Sequence, residues 1–118
     1  MDFELVQAIL AGGNQAIFKA IEGAADDNEL GKHDIIDRGV TSKDVICGIA
    51  ASGSTPYVIG AMEYAKELWC AVLSITMNPN RERSKKVDLP LNIIVGEEVI
   101  MGSTRMKSGT AQKMICNM

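Results

Sequence analysis

Residues 50–60 read AASGSTPYVIG, and this stretch predicts a β-strand that turns into an α-helix. An apolar run at residues 45–51 has the length of a buried strand. Pro56 suits the first position of a helix, because its fixed φ and missing N–H are tolerated there. The apolar residues that follow recur at helical spacing: Val58, Ile59, Met62, Ala65 and Leu68. A strand, a loop of small residues and a helix in this order are typical of α/β folds.

The loop between this strand and this helix has the composition of an anion-binding site. It consists of Ser52, Gly53, Ser54 and Thr55, whose small side chains leave backbone N–H groups open to a ligand. Free amides and the helix dipole both favour negative charge at a helix N-terminus. We therefore predict that these four residues contact a phosphate or sugar hydroxyls. The alternative that stays open is an ordinary strand-to-helix turn capped by Thr55.

The rest of the chain alternates strand and helix patterns. Apolar runs predict further strands at residues 5–11, 71–76 and 91–95, and helical spacing predicts helices after Asn14 and over residues 103–118. Strands that are apolar on both faces and alternate with helices indicate a parallel sheet flanked by helices on both sides. The sequence thus predicts an α/β fold, and 118 residues suit one domain over residues 1–118.

Composition argues against several functional classes. The net charge is −3, and Lys and Arg are scattered apart from one short cluster at residues 81–86, so we expect no nucleic-acid partner. No apolar run could span a bilayer, and Asp2 and Glu4 stand where a signal peptide is basic, so we expect a cytoplasmic protein without a membrane partner. Three cysteines lie far apart: Cys47, Cys70 and Cys116. Their spacing matches no metal site, so we expect them to be buried small hydrophobes.

The C-terminal third contains a second group of polar residues. Glu97 and Glu98 follow the last predicted strand, and GSTRMKSGT at residues 102–110 begins the last predicted helix. Ligands of open α/β sheets bind beyond the carboxyl ends of the strands, where these segments would lie. Ser103 offers a hydroxyl, and Lys107 offers a cation. In the alternative interpretation Ser103 caps the helix and Lys107 is solvated.

Four segments carry a resemblance to a known family. They read LAGGNQAIFKAIEGAADDNELG, DVICGIAASGSTPYVIGAMEYAKEL, ITMNP and GEEVIMGSTRMKSGTAQKMICNM. They resemble the N-acetylmuramic acid 6-phosphate etherases, which have the sugar isomerase (SIS) phosphosugar-binding fold and are related to glucokinase regulatory protein. The resemblance implies a SIS-like sheet of flavodoxin-like order, a phosphorylated amino sugar as ligand, and no metal or organic cofactor. Through matching motif positions it also implies substrate contacts for Glu98, Ser103 and Lys107.

The reaction implied by the resemblance is elimination of D-lactate from the muramic acid 6-phosphate ether during peptidoglycan recycling. Two carboxyl groups would transfer its protons. The family segment EGAED corresponds to residues 22–26 here, so the position of one catalytic glutamate is occupied by Ala25. The other glutamate would lie upstream of Met1. We therefore assign no catalytic residue and expect impaired activity, and it stays open whether Glu22 or Asp26 compensates.

The resemblance also implies that the first, central strand of the SIS domain is missing. That strand would lie between the strands predicted at residues 5–11 and 45–51, and its absence would leave two apolar edges unpaired. We therefore expect a partial SIS domain that forms a homodimer or receives the missing segments from another chain. The alternatives are a non-catalytic sugar-phosphate-binding module and an inactive truncated fragment.

Overall fold

The computed structural model describes residues 4–78 and 87–118 and contains one parallel sheet. Its strands are β1 (Val45–Ile49), β2 (Ala71–Thr76) and β3 (Leu89–Asn92), in the spatial order β1-β2-β3. The α-helices are α1 (Asn28–Asp37), α2 (Pro56–Glu67) and α3 (Lys107–Cys116), and short 3-10 turns occupy Gly13–Ile17 and Ala24–Asp26. Parallel strands joined with helices confirm the predicted α/β fold.

The strand pairing explains one shifted boundary. Val45 is aligned with Ala71, and the strand predicted at residues 71–76 is confirmed at both ends. The strand predicted at residues 91–95 instead begins at Leu89. The cause is Asp88, because its backbone N–H donates to Val72 O at 2.9 Å and its carboxylate accepts Val72 N–H at 2.8 Å. These two bonds set the register of β3 just before it starts, which the apolar pattern does not reveal.

The core lies between the sheet and α2. Ala65 of α2 and Val72 of β2 are completely buried, and Cys70 between them is 3 % exposed. Partly buried apolar residues surround these three: Val40, Ile46, Met62, Leu68 and Val87. This core fixes α2 across β1 and β2, and the N-terminus of the helix therefore lies at the carboxyl end of both strands.

Helix α1 packs tightly against α2 through two glycines. A Cβ atom on Gly31 would overlap the backbone carbonyl oxygen of Tyr57, and one on Gly60 would overlap the backbone carbonyl oxygen of Asn28. Ile35 fills the interface and is 2 % exposed. The contact therefore depends on the absence of side chains at both crossing positions.

The N-terminal segment differs from the prediction. Residues 5–11 form no strand, and the side chains of Leu5 and Val6 are 73 % and 79 % exposed. The helix predicted after Asn14 is only the 3-10 turn Gly13–Ile17, and Phe18 is 90 % exposed. Both predictions are wrong because apolar content alone does not make a strand or helix: among the described residues, β1 pairs only with β2 and offers residues 5–11 no hydrogen bonds.

One face of β1 is also uncovered. Val45 and Ile49 are 62 % and 41 % exposed, so the prediction that helices cover both faces is wrong for this strand. Cys47 and Cys116 are exposed, against expectation, whereas Cys70 is buried as expected. No helix among residues 4–78 and 87–118 is long and apolar enough to cross a bilayer. The basic cluster at residues 81–86 lies outside the described residues.

Candidate functional site

The predicted phosphate loop, residues 52–55, leaves the carboxyl end of the sheet and enters α2. Two backbone hydrogen bonds hold its base: Ala50 N–H donates to Ile75 O at 3.1 Å, and Met77 N–H donates to Ala51 O at 3.0 Å. Pro56 is the first residue of α2, as predicted. The structure therefore places the loop at the edge of the sheet where α/β folds bind ligands.

Within this loop the chain turns sharply and leaves one hydroxyl proton free. Gly53 has a φ of 68°, in the left-handed region that glycine adopts without strain, and its N–H donates to Ala50 O at 3.0 Å. The backbone N–H and the hydroxyl of Ser54 both donate to Ser52 Oγ at 3.2 Å. Because Ser52 Oγ accepts both bonds, its own proton can point outward to a ligand.

The N-terminus of α2 is open. Thr55 occupies the N-cap position, but its side chain makes no capping hydrogen bond, so the cap that the alternative interpretation required is not formed. The backbone N–H groups of Tyr57 and Val58 donate to no described residue, and the first hydrogen bond of the helix runs from Ile59 N–H to Thr55 O at 3.1 Å. These two free amides lie at the positive end of the helix dipole, which favours an anion.

The other two α-helices carry their own capping carboxylates. In α1, Asp27 accepts Leu30 N–H at 3.0 Å. In α3, Glu98 accepts Lys107 N–H and Ser108 N–H, each at 2.9 Å. Among the described α-helices, α2 is thus the one whose N-terminal amides donate to no capping carboxylate from the protein itself.

A small cavity lies beneath the loop, between α2 and the sheet. The space open to the centre of a water molecule is about 20 Å³. Its lining includes Gly53 and Thr55 of the loop, Val58 and Met62 of α2, and Ser74 of β2. Ser74 is 8 % exposed, and its hydroxyl has no hydrogen-bond partner among the described residues. Ser74 was not among the predicted site residues, although a hydroxyl inside the apolar run of β2 is a signal that could have identified it.

Of the second predicted group, Glu98 is used within the protein. Its two hydrogen bonds to the start of α3 lower the pKa of its carboxyl group, because backbone donors stabilise the charged form. The ammonium group of Lys107 donates to Glu97 O at 2.6 Å. Both side chains therefore hold the start of α3 in place.

The two predicted groups are not joined. Ser103 Oγ accepts Arg105 N–H at 3.3 Å and thus acts within its own loop. In the part of the chain that is described, no hydrogen bond links Glu98, Ser103 or Lys107 to the 52–55 loop. Contact of these three residues with substrate stays a prediction.

The position of the implied catalytic glutamate lies on the surface beside α2. Ala25 is exposed in the 3-10 turn Ala24–Asp26, which contacts α2. Its methyl group cannot transfer a proton. The neighbouring Glu22 and Asp26 are exposed as well. Within the described ranges, no three His, Cys, Asp or Glu side chains come together in a way that could hold a metal ion.

Comparison with known proteins identifies relatives of this chain. The model of the glucokinase regulatory protein N-terminal SIS domain matches residues 2–66. The chain is 89 % identical, over all 118 residues, to N-acetylmuramic acid 6-phosphate etherase of Clostridioides difficile (strain 630), of which it covers 39 %. Over 115 residues, 98 % of the chain, it is 56 % identical to the etherase of Clostridium acetobutylicum and 51 % identical to that of Aliivibrio fischeri (strain MJ11), covering 38 % of each.

The matches cover almost all of this chain but only part of each relative. Almost the whole chain is aligned, yet it spans only 38–39 % of the length of these curated relatives. The family model includes β1, the 52–55 loop and most of α2, which together form the candidate phosphate site. The chain therefore belongs to the SIS-domain family represented by the N-terminal SIS domain of glucokinase regulatory protein, and it resembles part of the N-acetylmuramic acid 6-phosphate etherases.

Proposed function

We propose that this chain binds the phosphate group of a phosphorylated amino sugar, N-acetylmuramic acid 6-phosphate, at the N-terminus of α2. The observation that carries the proposal is the pair of unpartnered backbone amides at Tyr57 and Val58. The Ser52 hydroxyl lies in the loop that leads into this helix and has a proton free to donate. The ligand is suggested by the names of the relatives, which are etherases of this sugar phosphate.

Phosphate binding in this site depends on hydrogen bonds and the helix dipole. The 52–55 loop contains no Lys or Arg. A helix N-terminus carries the equivalent of about half a positive charge, and its amides point along the axis toward a bound anion. An unphosphorylated sugar offers no charge to this end of the helix. We therefore expect the site to distinguish a sugar phosphate from the same sugar without phosphate.

We propose that turnover is slow or absent in this chain. Elimination of D-lactate requires a base that removes a proton beside the carbonyl group and an acid that protonates the departing oxygen. Ala25 cannot serve as either. A non-catalytic sugar-phosphate-binding module is therefore the second candidate function, and the exposed methyl group of Ala25 favours it.

Thermal unfolding with ligand tests the binding proposal. A ligand that binds only the native state at 100 times its Kd raises the free energy of unfolding by about 2.7 kcal/mol. We expect Tm to rise with N-acetylmuramic acid 6-phosphate and with glucosamine 6-phosphate, and to stay constant with unphosphorylated glucosamine. Ser52→Ala and Thr55→Val should weaken the shift. Ser42→Ala is the matched control, because Ser42 is an exposed serine in a turn away from the loop.

Two outcomes would contradict the proposal. Equal shifts with phosphorylated and unphosphorylated sugar would show that the phosphate is not recognised. The absence of a cooperative transition under every condition would favour an inactive fragment.

A D-lactate assay separates the two candidate functions. The enzyme hypothesis predicts slow release from N-acetylmuramic acid 6-phosphate that increases in the variant Ala25→Glu only if a partner chain supplies the second acid–base group. The binding-module hypothesis predicts saturable binding with no release. Ala25→Gln is the control, because it has the shape of glutamate without its ionisable group.

We also propose that the chain assembles through the outer edge of β1, as a homodimer or with another chain. Among the described strands β1 pairs only with β2, and its Val45 and Ile49 side chains are exposed. An unpaired apolar strand edge is prone to pair with another chain. Sedimentation equilibrium over a range of concentrations tests this, and a monomer at every concentration, alone and with cell extract, would refute it.

We propose the cytoplasm as the location, because a charged sugar phosphate does not cross a bilayer freely.

A further inference from the structure

The hydroxyl of Ser74 lacks a partner in a place where polar groups normally have one. Ser74 lies in the middle of β2, aligned with Gly48 of β1, and is 8 % exposed. Two residues further along, Thr76 Oγ1 donates to Ala51 O at 3.3 Å and accepts Asn78 N–H at 3.1 Å. The Ser74 hydroxyl has no such bonds to any described residue. A buried polar group without a hydrogen bond is destabilising, and most such groups bind protein or an ordered water.

The cavity beside Ser74 has the size of one water molecule. Its space of about 20 Å³ for the centre of a water exceeds the minimum of roughly 10–15 Å³ that a single water requires. Apolar side chains of Val58, Met62 and Val87 form part of the wall, so a polar occupant would be held on the side of Ser74 and the loop.

The other polar groups of the cavity belong to the phosphate loop, to its base and to Thr76, whose hydroxyl is already used in the two hydrogen bonds given above. Gly53, Thr55 and Ala50 line the same space as Ser74. The Thr55 hydroxyl donates to no described residue, and Ala50 O, which accepts Gly53 N–H, retains a second lone pair. A buried water usually makes two to four hydrogen bonds, and these groups with Ser74 provide that number.

We propose that this cavity is a binding site for one water molecule, which connects the Ser74 hydroxyl to the underside of the 52–55 loop and so positions the loop for phosphate. Ser74 is a positioning residue in this arrangement, since it reaches the ligand only through the water and the loop. The water site itself is independent of the proposed function. Its effect on phosphate affinity rests on that function.

The test measures the water and the phosphate separately in the full chain. Nuclear Overhauser effects between water and backbone amides detect a buried water, and we expect them at Gly53 and Thr55 in the wild type. Ser74→Ala removes one hydrogen bond to the water. We expect it to abolish these effects and to weaken binding of glucosamine 6-phosphate by about twofold to tenfold, the value of one net hydrogen bond. Ser52→Ala is the matched control, because it should weaken binding while the water signals remain.

Each outcome decides the proposal. A wild type without water signals at these amides overturns it, whether or not Ser74→Ala folds. The proposal is also overturned if the water signals persist in Ser74→Ala. It is overturned as well if Ser74→Ala loses the water signals but binds glucosamine 6-phosphate as tightly as a wild type that binds it. Water signals in a wild type that binds no sugar phosphate would support the water site and refute the proposed function.

Discussion

The close crossing of α1 and α2 predicts that Gly31→Ala and Gly60→Ala destabilise the protein strongly. A Cβ on Gly31 would lie 2.9 Å from the carbonyl carbon of Tyr57 and overlap its oxygen, and a Cβ on Gly60 would do the same to Asn28. These are backbone atoms, so no side-chain rotation relieves the overlap. Overpacking costs up to about 3 kcal/mol, and alanine recovers about 1 kcal/mol through its higher helix propensity. We expect each variant to lose about 2 kcal/mol.

Gly109→Ala is the matched control. Gly109 lies inside α3, and a Cβ there would approach only Thr104 O, at the ordinary contact distance of 3.9 Å. The same substitution should therefore stabilise the protein by up to about 1 kcal/mol. Urea unfolding followed by far-UV circular dichroism measures all three variants, and the destabilised pair should also show a Tm about 8 °C lower. If Gly31→Ala and Gly60→Ala stay within about 0.5 kcal/mol of the wild type, the close contact between α1 and α2 does not exist.

Three further predictions concern single side chains. Trp69→Gly should raise the free energy of unfolding by about 1 kcal/mol, because Trp69 has a left-handed φ of 64° and is 87 % exposed. Urea unfolding measures this, and a lower midpoint than that of the wild type would contradict the left-handed backbone. Asp27→Ala should cost about 1 kcal/mol by removing the cap of α1, whereas Asp37→Ala at the end of that helix should cost less. Glu98→Gln should lower stability at pH 7. The pKa of Glu98 is lowered in the folded state, so its contribution to stability is complete above the ordinary carboxyl pKa near 4.5 and is lost as the pH falls through the folded pKa. The free energies of unfolding of the wild type and the variant should therefore converge in acid. A constant difference down to pH 2 would refute this.

The sequence predicted the elements whose signals are local. The strand predicted from the apolar run of β2 and the position of Pro56 at the start of α2 were both correct, because hydrophobicity and a missing N–H are properties of the residues themselves. The 52–55 loop was placed correctly for the same reason. The proposal that it binds an anion rests on Thr55, whose side chain leaves the amides uncapped, and no sequence pattern specifies that rotamer.

The errors concern elements that depend on distant partners. Helix α3 begins at Lys107, four residues after the predicted start, because its cap is Glu98, nine residues earlier in the chain. Residues 5–11 are as apolar as a strand, but among the described residues they have no strand beside them. The sequence likewise does not predict that the Ser74 hydroxyl lacks a partner among the described residues, because this depends on how β2, α2 and the loop pack together.

The uncapped start of α2 has a consequence for how this protein can evolve. Aspartate at position 55 would supply its own carboxylate to the free amides and raise stability by about 1 kcal/mol, a change of one residue that selection for stability alone would favour. The same carboxylate would repel a phosphate and occupy its donors. Under the proposed function, Thr55 marks a trade-off in which lineages that retain the phosphate ligand must forgo an easy stabilising substitution, and a lineage that has lost the ligand is free to accept it.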